Sequence, residues 1–166
     1  GTFGLSASED PAEDFSPYLL NIPKDPDKVE TKGDTMSNRK LAIYLHLIWS
    51  VKDDSQLITR EIERSLYRCI GNQIAGLGCR VLAINGVLDH VHLVVKMKST
   101  IPVAHLVKQA KGVSSKFIND QFILQGKFCW RAGYGAFSIS RWDLPKIINY
   151  VKKQKTHHGV GSIVES

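Results

Sequence analysis

Two histidines at spacing two, His90 and His92, sit in the run Gly86-Val87-Leu88-Asp89-His90-Val91-His92-Leu93-Val94-Val95. Residues i and i+2 of a strand point to one face at a rise of about 3.3 Å per residue, so the two imidazoles stand side by side on a rigid, valine-rich element. Such a pair suits a metal ion or a phosphate, and it equally suits two packed or surface histidines. Farther along, Tyr150 and Gln154 are four apart, which on a helix makes them neighbours at about 5 to 6 Å. Lys146 lies one turn earlier on that stripe, Lys153 flanks it, and His157 and His158 follow. The result is a basic helical face around a phenol, although a helical tyrosine alone is more often a core or rim residue.

The elements that must position these groups are legible from periodicity. Leu41 to Val51 alternates as a strand, with Tyr44, His46, Ile48 and Ser50 on one face and Ile43, Leu45, Leu47 and Trp49 on the other, core-facing one. Ile62, Leu66, Ile70, Ile74 and Leu77 then recur at helical spacing, with Thr59 as N-cap, Glu61 and Glu63 in the first turn, and Gly78 as the stop. Cys79 to Val87 reads as a second strand, joined by a tight turn at Leu88 and Asp89 to the histidine strand, which runs to about Met97. Pro102 opens a helix with an apolar stripe through Leu106, Val107, Ala110, Val113, Phe117 and Ile118. Gly133 to Ser140 is a short glycine-opened strand, and Asp143 caps a last helix running to about His157. Strand, helix, strand, strand, helix, strand, and one more helix is an α+β order, the ferredoxin-like βαββαβ antiparallel sheet with an additional C-terminal helix carrying Tyr150.

The chain has 166 residues and a net charge of +6, enough for one domain with a proper core. Its charge is divided unevenly. Residues 1 to 35 carry −5 and prolines at 11, 17, 23 and 26, which reads as an acidic, disordered leader or linker. Residues 36 to 166 carry +11, an excess that attracts polyanions, with nucleic acid the default partner. No run approaches the roughly 18 apolar residues of a membrane span, and no secretory pattern opens the chain; the expectation is a cytoplasmic protein with no membrane partner. Cys69, Cys79 and Cys129 lack the pairing or spacing of a disulfide framework or zinc knuckle and read as core thiols.

The His90-Val91-His92 strand, the segment Gly133-Tyr134-Gly135-Ala136-Phe137-Ser138 after Trp130, and Tyr150-Val151-Lys152-Lys153-Gln154 followed by His157-His158 resemble the single-tyrosine HUH transposases of small bacterial insertion sequences. His46-Leu47-Ile48-Trp49-Ser50 and Lys52 in the first strand agree. The resemblance covers about residues 40 to 159 and leaves out 1 to 35. One departure is Asp53-Asp54, where relatives often carry an arginine or another basic residue.

That resemblance implies a metal-dependent transposase that cuts and rejoins single-stranded DNA beside hairpins, leaving a 5′-phosphotyrosine and a free 3′-OH. Carried over residue by residue, it makes Tyr150 the nucleophile and His90, His92 and Gln154 the ligands of Mg2+ or Mn2+. His46 falls near the site or serves the sheet. The resemblance also implies a homodimer in which the tyrosine helix completes its partner's site, with Arg141 to Leu144 as the hinge; the sequence does not choose between completion in cis and in trans. Candidate DNA contacts are Lys108, Lys111, Lys116, Arg131, Tyr134, Arg141, Lys146 and Lys153, with Phe137 and Trp142 as stacking platforms. The competing reading is a domesticated module of the same fold that binds single-stranded DNA or RNA without strand transfer.

Overall fold

The computed structural model describes residues 41–155. The leader at 1 to 35, His157 and His158 therefore lie outside the described residues. Four strands, β1 (Tyr44–Ser50), β2 (Arg80–Val87), β3 (His90–Lys96) and β4 (Gly135–Ile139), alternate with three helices, α1 (Arg60–Gly76), α2 (Val103–Gln121) and α3 (Leu144–Lys152). The sheet order is β2-β3-β1-β4 with every pair antiparallel, the ferredoxin-like topology expected from the element order.

Alternation sends the two faces of this sheet to different neighbours. Leu47 and Trp49 of β1 and Val91, Leu93 and Val95 of β3 point to a layer made by α1 and α2, where Ile62, Leu66, Ile70 and Ile74 meet Leu106, Val107, Ala110 and Ile118. Each aliphatic side chain buried there contributes about 1.5 to 3 kcal/mol, so this layer supplies most of the stability and leaves the opposite face for other work. On that opposite face Tyr44, Leu82, Ala83 and Val94 form a smaller cluster with Leu144, Ile148 and Val151 of α3. Spacings of four and three put those three residues on one side of α3, and Tyr150 emerges beside them.

Two end signals act differently from expectation. Thr59 and Asp143 do flank α1 and α3, but neither side chain caps its helix. The Thr59 carbonyl accepts from the Glu63 N–H at 3.0 Å, and the Asp143 N–H itself donates to the Ser140 Oγ at 3.1 Å. Gly78 does end α1, at φ 84°, a conformation without penalty only for glycine.

The hairpin that carries the histidines depends on Gly86. A Cβ at that position would run into the His90 carbonyl oxygen, the Tyr67 hydroxyl and the Val91 Cα. Two of those three are backbone, which has no rotamer through which to retreat. Gly86→Ala is therefore expected to cost about 3 kcal/mol or more, read as a lowered urea midpoint, while Gly76→Ala, in open space on α1, stabilises slightly or is neutral.

Candidate active site

β1 and β3 bring three histidines to the face that α3 partly covers. His90 and His92 share that face, as spacing two requires, with ring centroids 5.1 Å apart. His46 pairs in register with Val94, one position diagonal from His92, close enough for long side chains to meet. Its Nε2 lies 2.9 Å from the His92 Nδ1, and the two rings stack at 5.1 Å. His46 is thus part of the cluster. Burial lowers its pKa below the usual histidine value, which favours the neutral imidazole. The His90 Nδ1 sits 2.7 Å from the Asp89 carboxylate, a contact absent from the sequence reading, in which Asp89 was only a turn residue.

Tyr150 reaches this cluster from α3 within one chain. Its ring centroid is 6.1 Å from His92 and 6.4 Å from His46, both edge-on, and the residue remains 39% exposed. That exposure separates it from an ordinary core tyrosine such as Tyr67, which is wholly buried and whose pKa burial and neighbouring Glu63 push well up.

α3 ends at Lys152, Lys153 is a turn residue, and Gln154 and Lys155 are helical again, while the expected helix end near His157 lies outside the described residues. The chain turns at Lys153, and the Gln154 amide nitrogen stays 3.5 Å from the Tyr150 carbonyl. The four-residue relation survives the break. Gln154 is completely buried, and its Oε1 accepts no hydrogen bond from the described residues. A buried amide oxygen left this way costs about 1 to 3 kcal/mol, which a ligand would recover.

The turn bearing Gln154 is fastened to β2 by a polar network that sequence reasoning missed. Asn85, paired with His92 in the sheet, donates through Nδ2 to the Lys152 carbonyl at 2.9 Å. Lys155 Nζ donates to the Asn85 Oδ1 at 2.8 Å and the Gly86 carbonyl at 3.0 Å, and pairs with Glu63. Burial pulls the Lys155 pKa below the usual lysine value, against the opposing pull of Glu63. Glu63, read from sequence as a first-turn dipole residue, is instead a buried anchor that also accepts from Tyr67 at 3.1 Å. The available signal was a lone asparagine inside an otherwise apolar strand. Removing one member of a buried pair strands the other charge, so Glu63→Ala is expected to lose about 3 kcal/mol of stability and to speed amide exchange at residues 150 to 155.

The sheet separates the expected DNA contacts. Lys108 and Lys116 are exposed on α2, in the layer opposite Tyr150, and Lys116 pairs with Asp120 at 2.7 Å. Lys111 donates to the Arg131 and Gly133 carbonyls at 2.7 and 2.8 Å; it pins the approach to β4. Arg131 pairs with Asp53, one of the two acidic residues that follow Lys52. Lys146 and Lys153 are exposed on the α3 side, and the Arg141 guanidinium stacks 4.6 Å above the 75% exposed Trp142 at the entry to α3. Phe137 faces the site from β4, 6.3 Å from His46, and Tyr134 is exposed just before that strand. Trp130 packs edge-on against Trp49 and Phe128 and belongs to the core side.

The model of the family described as transposase IS200 like matches residues 39–154, which takes in all four strands, the three histidines, Tyr150 and Gln154. The chain belongs to the IS200-like transposases. It is 27% identical over 114 residues to the ISDra2 transposase TnpA of Deinococcus radiodurans, covering 66% of this chain and 81% of that one. Two solved structures share the fold of this transposase. A Deinococcus radiodurans R1 chain described as a candidate transposase aligns with a TM-score of 0.58 at 23% identity, over 71% of this chain and 95% of its own. A REP-associated tyrosine transposase bound to a REP hairpin aligns at 0.56 and 14% identity, over 74% of each chain. Among the transposase's described residues, no helix is long and apolar enough to cross a membrane.

The side chains expected to hold a divalent ion can be judged by their chemistry. No group of three or more His, Cys, Asp or Glu side chains suited to a metal occurs among the described residues. The expected ligands are of a different kind, two adjacent strand imidazoles and an amide oxygen, that of Gln154, which is buried without a hydrogen bond from the described residues. Imidazole with oxygen ligands suits borderline to hard ions such as Mn2+, and three protein ligands would leave positions for phosphate oxygens.

Proposed function

We propose that this transposase cuts and rejoins single-stranded DNA through Tyr150, in a metal-dependent reaction. The observation that carries the proposal is a partly exposed phenol set edge-on to His92 and His46 at 6.1 and 6.4 Å, one turn from the orphaned oxygen of Gln154. A free phenol has a pKa near 10, so little phenolate exists at neutral pH. A divalent ion held by His90, His92 and Gln154 would polarise the scissile phosphate and favour loss of the phenolic proton.

Tyr150 Oη then forms a bond to phosphorus as the bond from phosphorus to O3′ breaks. The phenolic proton is released, and the departing O3′ takes up a proton. The products are a 5′-phosphotyrosine and a 3′-OH. One phosphodiester replaces another, so a 3′-OH reverses the step without an external energy source. Partial exposure of Tyr150 admits a DNA backbone, and Lys146, Lys153 and Arg141 on the same side favour its phosphates. Phe137 and Trp142 offer rings for unpaired bases. The likeness to a tyrosine transposase bound to a REP hairpin supports a hairpin-bearing target. A homodimer that trades α3 between copies belongs to the same proposal, with residues 141 to 143 as the connector.

The test is a denaturing gel of the protein with a labelled pool of single-stranded hairpin oligonucleotides and Mn2+, beside a chelator lane. A denaturant-resistant shifted band that chelator removes is expected. Tight binding indifferent to chelator, with no such band, would replace strand transfer by the binding-module reading.

A further inference from the structure

The two candidate ligand histidines are oriented by unlike partners. His90 has the Asp89 carboxylate 2.7 Å from its Nδ1, an arrangement that fixes a ring and raises its basicity as a ligand. The His92 Nδ1 instead lies 2.9 Å from the Nε2 of His46. One proton lies between those two nitrogens, and its owner decides what His92 can do. If His46 donates, the His92 proton moves to Nε2 and that nitrogen loses its lone pair. If His92 donates, His46 is the acceptor and coordination falls to the His92 Nε2.

We propose that His46 is a positioning residue which accepts the Nδ1 proton of His92 and so presents the His92 Nε2 lone pair to the divalent ion. The proposal rests on the metal-dependent reading above and extends it to a residue outside the ligand set. Two observations carry it. The 2.9 Å contact joins side chains from two different strands whose register is fixed along seven residue pairs. The rings stack at 5.1 Å with planes 24° apart, so the His92 ring is held in rotation as well as in hydrogen bonding. Phe137 in turn packs 6.3 Å from the His46 ring on its β4 side.

The experiment has two readouts, and neither uses DNA. Long-range nitrogen NMR of the imidazoles in metal-free protein at pH 7.5 is expected to show His92 protonated at Nδ1 and His46 protonated at Nδ1, with Nε2 bare on both. The opposite pair, His46 carrying its proton on Nε2, overturns the proposal. Titration with Mn2+ alone is expected to show His46→Ala weaker than the wild type by about 10- to 100-fold. His46→Gln, whose amide oxygen can accept the same bond, should stay within about threefold of the wild type. Equal affinity in His46→Ala and wild type, or equal loss in both variants, overturns the proposal. The NMR readout decides the matter if His46→Ala does not fold. The metal reading has its own control: wild type binding Mn2+ no better than His90→Ala would sink that reading, whichever tautomer His92 adopts.

Discussion

Tyr150→Phe is expected to abolish the covalent DNA adduct and to reduce strand cleavage at least about a thousandfold, while single-stranded DNA binding stays within about twofold of wild type. The size of the effect follows from the proposed chemistry, in which the substitution deletes the one atom that would form the bond to phosphorus and leaves the aromatic ring that sits against His92 and His46. Stability should hardly change, since the residue is 39% exposed and the apolar contacts of α3 belong to Leu144, Ile148 and Val151. Cleavage rates, filter binding and a thermal melt on one preparation separate these effects. A Tyr150→Phe protein that still formed adducts would remove the assignment of the nucleophile.

His92→Ala carries the second largest expected effect. His92 is 5% exposed and stands between His46, His90 and Tyr150, so the substitution removes a proposed ligand and leaves His46 without its bonded neighbour. Mn2+ affinity should fall by more than about 100-fold, above the range for loss of an outer partner, and the cleavage reaction should fall with it. Calorimetric titration with Mn2+ in the absence of DNA reads the affinity. Comparison with Tyr150→Phe keeps the two roles apart, because that variant should bind Mn2+ normally. Loss of cleavage in His92→Ala with undiminished Mn2+ affinity would reassign the histidine from the metal to the substrate.

The parts of this molecule readable in the sequence are those governed by short-range periodicity. Alternation placed His46 with Tyr44, Ile48 and Ser50, and spacing two placed His90 beside His92; both hold in the sheet. The apolar stripes of α1 and α2 meet the face of β1 that alternation assigned to the core, through Leu45, Leu47 and Trp49, whereas Ile43, assigned with them, is exposed just before the strand. What periodicity cannot supply is register between strands. His46 is 46 residues from His92 in sequence, and only the pairing of His46 with Val94 makes them neighbours.

The same limit hid the anchor of the turn that bears Gln154. Glu63 and Lys155 are 92 residues apart, and each reads locally as an ordinary solvated charge. The break in the last helix was hidden for a different reason. The basic stretch after Tyr150 is compatible with a continuing helix, but the Lys152 carbonyl is taken by Asn85 and the chain turns at Lys153. That turn buries Gln154 against the body of the protein. Charge was the weakest guide, since lysines read alike on any helix: Lys111 braces a loop and Lys116 holds Asp120, whereas Lys146 and Lys153 flank the tyrosine.

The measurement that bears most directly on the central claim is peptide mapping of the protein after reaction with a single-stranded hairpin oligonucleotide pool and Mn2+. Cleavage after Lys146 and Lys152 yields the peptide Ile147-Ile148-Asn149-Tyr150-Val151-Lys152, in which Tyr150 is the only hydroxyl side chain. A nucleotide is expected on this peptide, attached through its 5′-phosphate in a bond stable to denaturant and absent when chelator is present. An adduct on any other peptide, or DNA cut in a chelator-sensitive reaction with no adduct at all, would contradict that claim.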